Sequence, residues 1–86
     1  MTAPAVTVYT RSGPPKCMSC VQTIRHLTRR GIPFTEVDVD DDPGARLTLD
    51  YLGLSSLPVV VAATALGEQT WTGYRPDRLD ALAVPA

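Results

Sequence analysis

Hydrophobic and polar positions change period several times along the chain. Ala5-Val6-Thr7-Val8-Tyr9-Thr10 alternates and is rich in β-branched residues, which predicts a strand. Ser12-Gly13-Pro14-Pro15 breaks the pattern, because each proline fixes its own φ and biases the residue before it away from helix. From about Cys17 the period becomes helical, with Cys17, Cys20, Val21, Ile24, Leu27 and Thr28 on one broad face. Arg29 and Arg30 fall in the last turn, where cations suit the helix dipole, and Gly31 supplies a C-terminal cap. Phe34 to Val39 alternates again, Val37 and Val39 opposite Glu36 and Asp38, the pattern of a half-exposed edge strand. Asp42-Pro43 opens a second helix as N-cap and first-turn proline; Ala45, Leu49 and Leu52 point inward and Gly53 ends it. Pro58 to Ala62 is apolar on both faces, as a central strand is. Glu68 to Thr72 forms its partner after a turn near Gly67, and Pro76-Asp77 begins a short last helix through Leu79 and Leu82.

The order is β-α-β-α-β-β-α, an α/β fold in which a mixed four-stranded sheet is flanked by three helices. Its first half is a right-handed parallel βαβ unit and its last two strands are a hairpin. At 86 residues the chain makes one domain, 1–86, without a repeat or linker. A net charge of −1 argues against nucleic acid as a partner, since phosphate binding needs a basic excess. Arg11, Lys16, Arg25, Arg29 and Arg30 gather in the first third and Asp38, Asp40, Asp41 and Asp42 follow; both groups read as solvated surface. Met1-Thr2-Ala3-Pro4 lacks the regions of a signal peptide, and Pro58 to Leu66 is far shorter than the roughly 20 apolar residues of a membrane span. A cytoplasmic protein is the expectation.

The two cysteines, Cys17 and Cys20, stand three apart in Pro14-Pro15-Lys16-Cys17-Met18-Ser19-Cys20. A Cys-x-x-Cys just after a strand, at the start of a βαβ helix, is the arrangement of a thioredoxin-like redox site. Residues i and i+3 of a helix face the same way, and the helix N-terminus offers free N–H groups and partial positive charge to a thiolate. Lys16, next to the first cysteine, and Arg11 add cationic stabilisation. Such settings lower a thiol pKa from about 8.5 to roughly 3.5–7.5. Cys17, nearer the surface, is then the attacking thiolate and Cys20, one turn inside, the resolving thiol. Two other readings stand beside this one. A zinc or iron–sulfur module would use the same pair, although a closed zinc site wants four ligands and the single histidine, His26, points elsewhere on the helix. Incidental packing of two small apolar side chains is the third. His26 itself reads as an exposed helix residue.

With these elements placed, the chain resembles the glutaredoxin-like NrdH-redoxins over nearly its whole length. Val8-Tyr9-Thr10-Arg11, Cys17-Met18-Ser19-Cys20, Leu57-Pro58-Val59-Val60-Val61 and Trp71-Thr72-Gly73-Tyr74-Arg75-Pro76-Asp77 carry the likeness, the last most specifically. The resemblance implies a thioredoxin fold with a cis Leu57-Pro58 bond shaping a substrate ledge. It further implies a monomeric carrier without a cofactor beyond its redox-active disulfide, reduced by thioredoxin reductase and serving a class Ib ribonucleotide reductase. Met18, Leu57 and Pro58 would meet substrate or partner. Trp71, Thr72, Tyr74 and Arg75 would organise the corner before the last helix and contact the reductase, with core or corner packing an equal reading of Trp71 and Tyr74. Ser19, where the family often has Gln, would tune the site. Glutathione-dependent glutaredoxins are the nearest alternative. They usually carry Thr-Val-Pro and Gly-Gly-x-Asp segments, where this chain has Ser56-Leu57-Pro58 and Thr72-Gly73-Tyr74-Arg75-Pro76-Asp77; poor glutathione binding follows. Two segments, Ser12 to Lys16 and Ala63 to Gln69, read as longer loops than the family's.

Overall fold

A computed structural model describes residues 5–83; the Met1-Thr2-Ala3-Pro4 segment and the two ends of the 1–86 span lie outside the described residues. The elements run β1 (Ala5–Thr10), α1 (Met18–Arg29), β2 (Thr35–Asp38), α2 (Pro43–Tyr51), β3 (Val59–Thr64), β4 (Gly67–Thr72) and α3 (Pro76–Ala81). The sheet order is β2-β1-β3-β4, with β1–β2 parallel and the other two pairs antiparallel. This is the thioredoxin-like arrangement, with β2 on the edge and β3 inside as their polarity predicts. No helix among the described residues is long and apolar enough to cross a membrane.

Alternation along β1 sorts the core into two layers. Val6 and Val8 point to the face covered by α1 and α3, where they pack with Leu27, Ile32, Val60, Ala62, Trp71, Leu79 and Leu82. The other face holds Val39, Leu49 and Val59, with Tyr9, Ala45, Leu54, Leu57 and Val61 against them, under α2. Val59 and Val60 are both fully buried, one on each face, which is what a central strand requires.

Both long helices end in the same way. Ile32 N–H reaches the Leu27 carbonyl while Gly31 N–H reaches Thr28; Leu54 and Gly53 repeat the pair on Leu49 and Asp50. These are Schellman caps, and Gly31 and Gly53 occupy the left-handed position with φ of 68° and 73°.

Three expectations need correcting here. Leu52 is 59% exposed: the α2 cap turns the chain so that Leu54, not Leu52, packs beneath the helix. Thr28 is exposed while Thr23 is buried, its hydroxyl donating to the Ser19 carbonyl at 2.8 Å. Ala63 to Gln69 is not an extended loop, since pairing continues to Thr64–Gly67 and leaves Ala65-Leu66 as a two-residue turn.

Candidate active site

Cys17 is the N-cap of α1, with extended backbone that lets its side chain fold back over the first turn. Its Sγ accepts the Cys20 N–H at 3.2 Å, so the sulfur occupies the place of a capping oxygen. No acidic residue lies in the first turn to oppose the positive end of the helix. Cys17 and Cys20 form a disulfide with their Cα atoms 5.2 Å apart. Cys20 is only 4% exposed, whereas Cys17 is half-buried. The pair is therefore asymmetric, with one sulfur at the rim and one sealed under it.

The chain before β3 closes the site on one side. Leu57-Pro58 is cis, and Cys17 Sγ lies 3.9 Å from the Leu57 carbonyl oxygen. Pro58 is buried, and its carbonyl accepts the Gly73 N–H at 2.9 Å, tying this ledge to the corner after β4. Gly73 adopts φ of 82°, so this turn favours glycine. Trp71 is buried in the α1–α3 core opposite Val60, with Arg78 over its ring at 5.5 Å, so packing accounts for it. Thr72 pairs with Val59. Arg75 is exposed, precedes α3 and lies 3.8 Å from Asp77. Met18, 57% exposed, follows Cys17 on the first turn.

On the other flank, a cavity of about 410 Å³ opens between α1 and the β1–β2 edge. Lys16 and Arg11, singled out from sequence, line it together with both cysteines. Ser19 does not; its carbonyl receives Thr23.

Sequence reasoning missed two clusters. Asp38 and Asp40 are not merely solvated. Asp38 Oδ1 accepts the Asp40 N–H at 2.9 Å and the Ser12 N–H at 3.3 Å, while Asp40 Oδ2 accepts the Gly13 N–H at 2.7 Å. Arg46 completes the cluster from α2, 2.9 Å from Asp40 Oδ1. Hydrogen bonds from the Ser12 side chain and the Asp40 backbone hold the Asp38 carboxyl below the usual aspartate range. The active-site loop is thus moored to the end of β2. The only advance signal was the density of aspartates there.

His26 is the second correction. Its side chain is 14% exposed, not solvated, because α3 and Tyr74 cover it. Nε2 lies 2.7 Å from Asp80 Oδ1 and Nδ1 lies 2.9 Å from the Tyr74 hydroxyl. An ionised carboxylate only accepts, so Nε2 donates to Asp80, while Nδ1 and the Tyr74 hydroxyl share the second hydrogen bond. The hydrogen bond from His26, followed by the nearby Arg30 charge, lowers the Asp80 pKa. As expected, His26 faces away from the disulfide. Among the described residues no group of three or more His, Cys, Asp and Glu could hold a metal ion.

Comparisons with known proteins agree with this geometry. The Glutaredoxin family model matches residues 6–65. The glutaredoxin-like protein NrdH of Salmonella typhimurium is 40% identical over 78 residues, 91% of this chain and 88% of that protein. Its Escherichia coli counterpart is 38% identical over 77 residues, 90% and 86% of the two chains. The solved NrdH-redoxin of E. coli superposes with a TM-score of 0.80 at 38% identity, covering 95% of this chain and 97% of that one. A family match over most of the chain and this degree of likeness in sequence and fold mean that the chain belongs to the glutaredoxin-like NrdH redoxins, small thiol–disulfide oxidoreductases.

Proposed function

We propose that the protein is a cytoplasmic electron carrier that takes electrons from thioredoxin reductase and reduces a protein disulfide, with a class Ib ribonucleotide reductase as client. The observation that carries this reading is Cys17 as N-cap, its sulfur receiving the Cys20 N–H and facing the Leu57 carbonyl. Cys17 thiolate, stabilised by that N–H and the helix end, attacks the client disulfide and releases one client thiolate. Cys20 then loses its proton and attacks Cys17 Sγ. The second client thiol leaves, and the carrier is left with the Cys17–Cys20 disulfide. The pair is the only redox group needed, and residues 1–86 work as one monomeric domain.

The resemblance to the NrdH redoxins supports the choice of reductase and client, and the E. coli relative is described as glutaredoxin-like with a thioredoxin-like activity profile. Tyr74 supports the preference against glutathione. Half-buried and tied to His26, it fills the corner where glutathione-using relatives have the second of two glycines. In an assay of NADPH consumption with insulin disulfides, thioredoxin reductase should sustain turnover and glutathione with glutathione reductase should not. Turnover only with glutathione would overturn the choice of reductant. Failure with both would turn attention to the metal module.

A further inference from the structure

The cavity between α1 and the β1–β2 edge is not part of the Pro58 ledge. Thr10, Arg11, Lys16, Val21, Ile24 and Arg25 line it with the two cysteines, and neither Leu57, Pro58 nor any residue of 71–75 does. Its volume of about 410 Å³ is that of a small-ligand site. The charge inside is uneven. Arg11, Lys16 and Arg25 contribute three cations, none in a salt bridge among the described residues, against one lining carboxylate, Glu36. Glu36 is itself engaged, its Oε2 accepting the Thr10 hydroxyl at 2.8 Å. The chain as a whole is at −1, so this excess is local and not a property of the whole protein.

Resting on the reductase reading above, we infer that this cavity selects disulfides carrying carboxylates next to the sulfur, holding the acidic group on Arg11, Lys16 and Arg25 while Cys17 attacks. Val21 and Ile24 form an apolar floor for the carbon chain between sulfur and carboxylate. The exchange is balanced within the pair. Cys17 thiolate bonds to one sulfur of R–S–S–R and expels R–S⁻; Cys20 gives up its proton, bonds to Cys17 Sγ and expels the second R–S⁻. The protein loses two electrons, and the substrate gains them as two thiols, one taking the Cys20 proton and the other a proton from water.

Pre-reduced protein is mixed with 3,3′-dithiodipropionate, 2-hydroxyethyl disulfide or cystamine, and formation of the Cys17–Cys20 disulfide is timed. Each rate is divided by that of 2-mercaptoethanol with the same probe, which removes the probes' own reactivity. The normalised anion-to-cation ratio should exceed about fivefold and shrink in high salt, because exposed charges are screened beyond a Debye length of about 8–10 Å. An exposed ion pair is worth a factor of roughly 1.5 to 5, and reversal both removes an attraction and adds a repulsion. Arg25→Glu should therefore lower the ratio about fivefold, and Glu36→Gln should raise it. Arg29→Glu, the same charge change at the far end of α1, should leave it unmoved. An additional pair of cystine-linked peptides, flanked by Asp or by Lys, separates the sources. Discrimination between them assigns the cavity to an acidic client segment; discrimination among the small probes alone assigns it to a small carboxylated disulfide. A flat ratio with the neutral probe still reduced would overturn the inference alone, as would equal shifts from Arg25→Glu and Arg29→Glu. Failure of every probe to oxidise the pair would overturn the reductase reading first.

Discussion

Position on a helix separates two chemically identical side chains, and a neighbouring helix decides the surroundings of a third. Cys17 and Cys20 are the same residue type, and what differs is that one caps α1 while the other is buried under it. That asymmetry was legible, because a thiol at N-cap and one at the third helical position must differ in depth. His26 was not legible. Its helical phase says only that it leaves the cysteine face; that Tyr74 and Asp80 meet it there depends on how α3 closes over α1, which no local pattern encodes. The Tyr74→Phe variant keeps the ring and loses the hydroxyl, and should be less stable by about 1 kcal/mol in urea denaturation. His26→Ala should raise the Asp80 carboxyl toward the ordinary aspartate range, with Arg30 still holding it partly down, read by NMR titration. Asp80 is depressed in the folded protein, so its stabilising contribution is present above that range and lost as pH falls through its folded value.

Among the elements, strand edges and helix caps were readable because each rests on a residue with one strong local preference. Asp42 accepts the Ala45 N–H at 3.1 Å as N-cap, Gly31 and Gly53 close their helices, and Val59-Val60 require burial on both sides. The turn at Ala65-Leu66 was misread because β3 and β4 pair further than their apolar stretch indicates, carried by backbone hydrogen bonds through Thr64 and Gly67. The loop before Cys17 shows a non-local debt of another kind. A Cβ on Gly13 would come within 2.8 Å of Asp40 Oδ2, so glycine is what lets that carboxylate reach the Gly13 N–H. Gly13→Ala should push the carboxylate away and speed hydrogen exchange at the Gly13 amide, with Asp40→Asn doing so more weakly. Asp38 sets the acid limit of the mooring. Its pKa is depressed in the fold, so the loop's attachment holds above the normal aspartate range and loosens as pH drops through the lowered value. An exchange rate that did not depend on pH in that window, once intrinsic exchange is removed, would contradict this role.

For the whole molecule, two apolar layers on opposite faces of one sheet hold α1 and the β3 ledge in a fixed relation, and the redox site is the seam between them. Leu27 anchors α1 in one layer; Leu57 packs in the other while its carbonyl faces Cys17. The Gly73 N–H to Pro58 bond couples that ledge to the corner leading into α3, so both are tied to the core by backbone hydrogen bonding. The central claim is ordered exchange, with Cys17 attacking and Cys20 resolving. Its most direct test is mass spectrometry of the reduced Cys20→Ser protein after exposure to a disulfide-containing peptide. With two peptide chains joined by one disulfide, one chain should be trapped covalently on Cys17 and persist until a reductant is added, the other leaving as its thiol, while Cys17→Ser traps nothing at a comparable rate. Rapid capture by Cys20 in the Cys17→Ser protein, with none on Cys17 in its counterpart, would contradict the order.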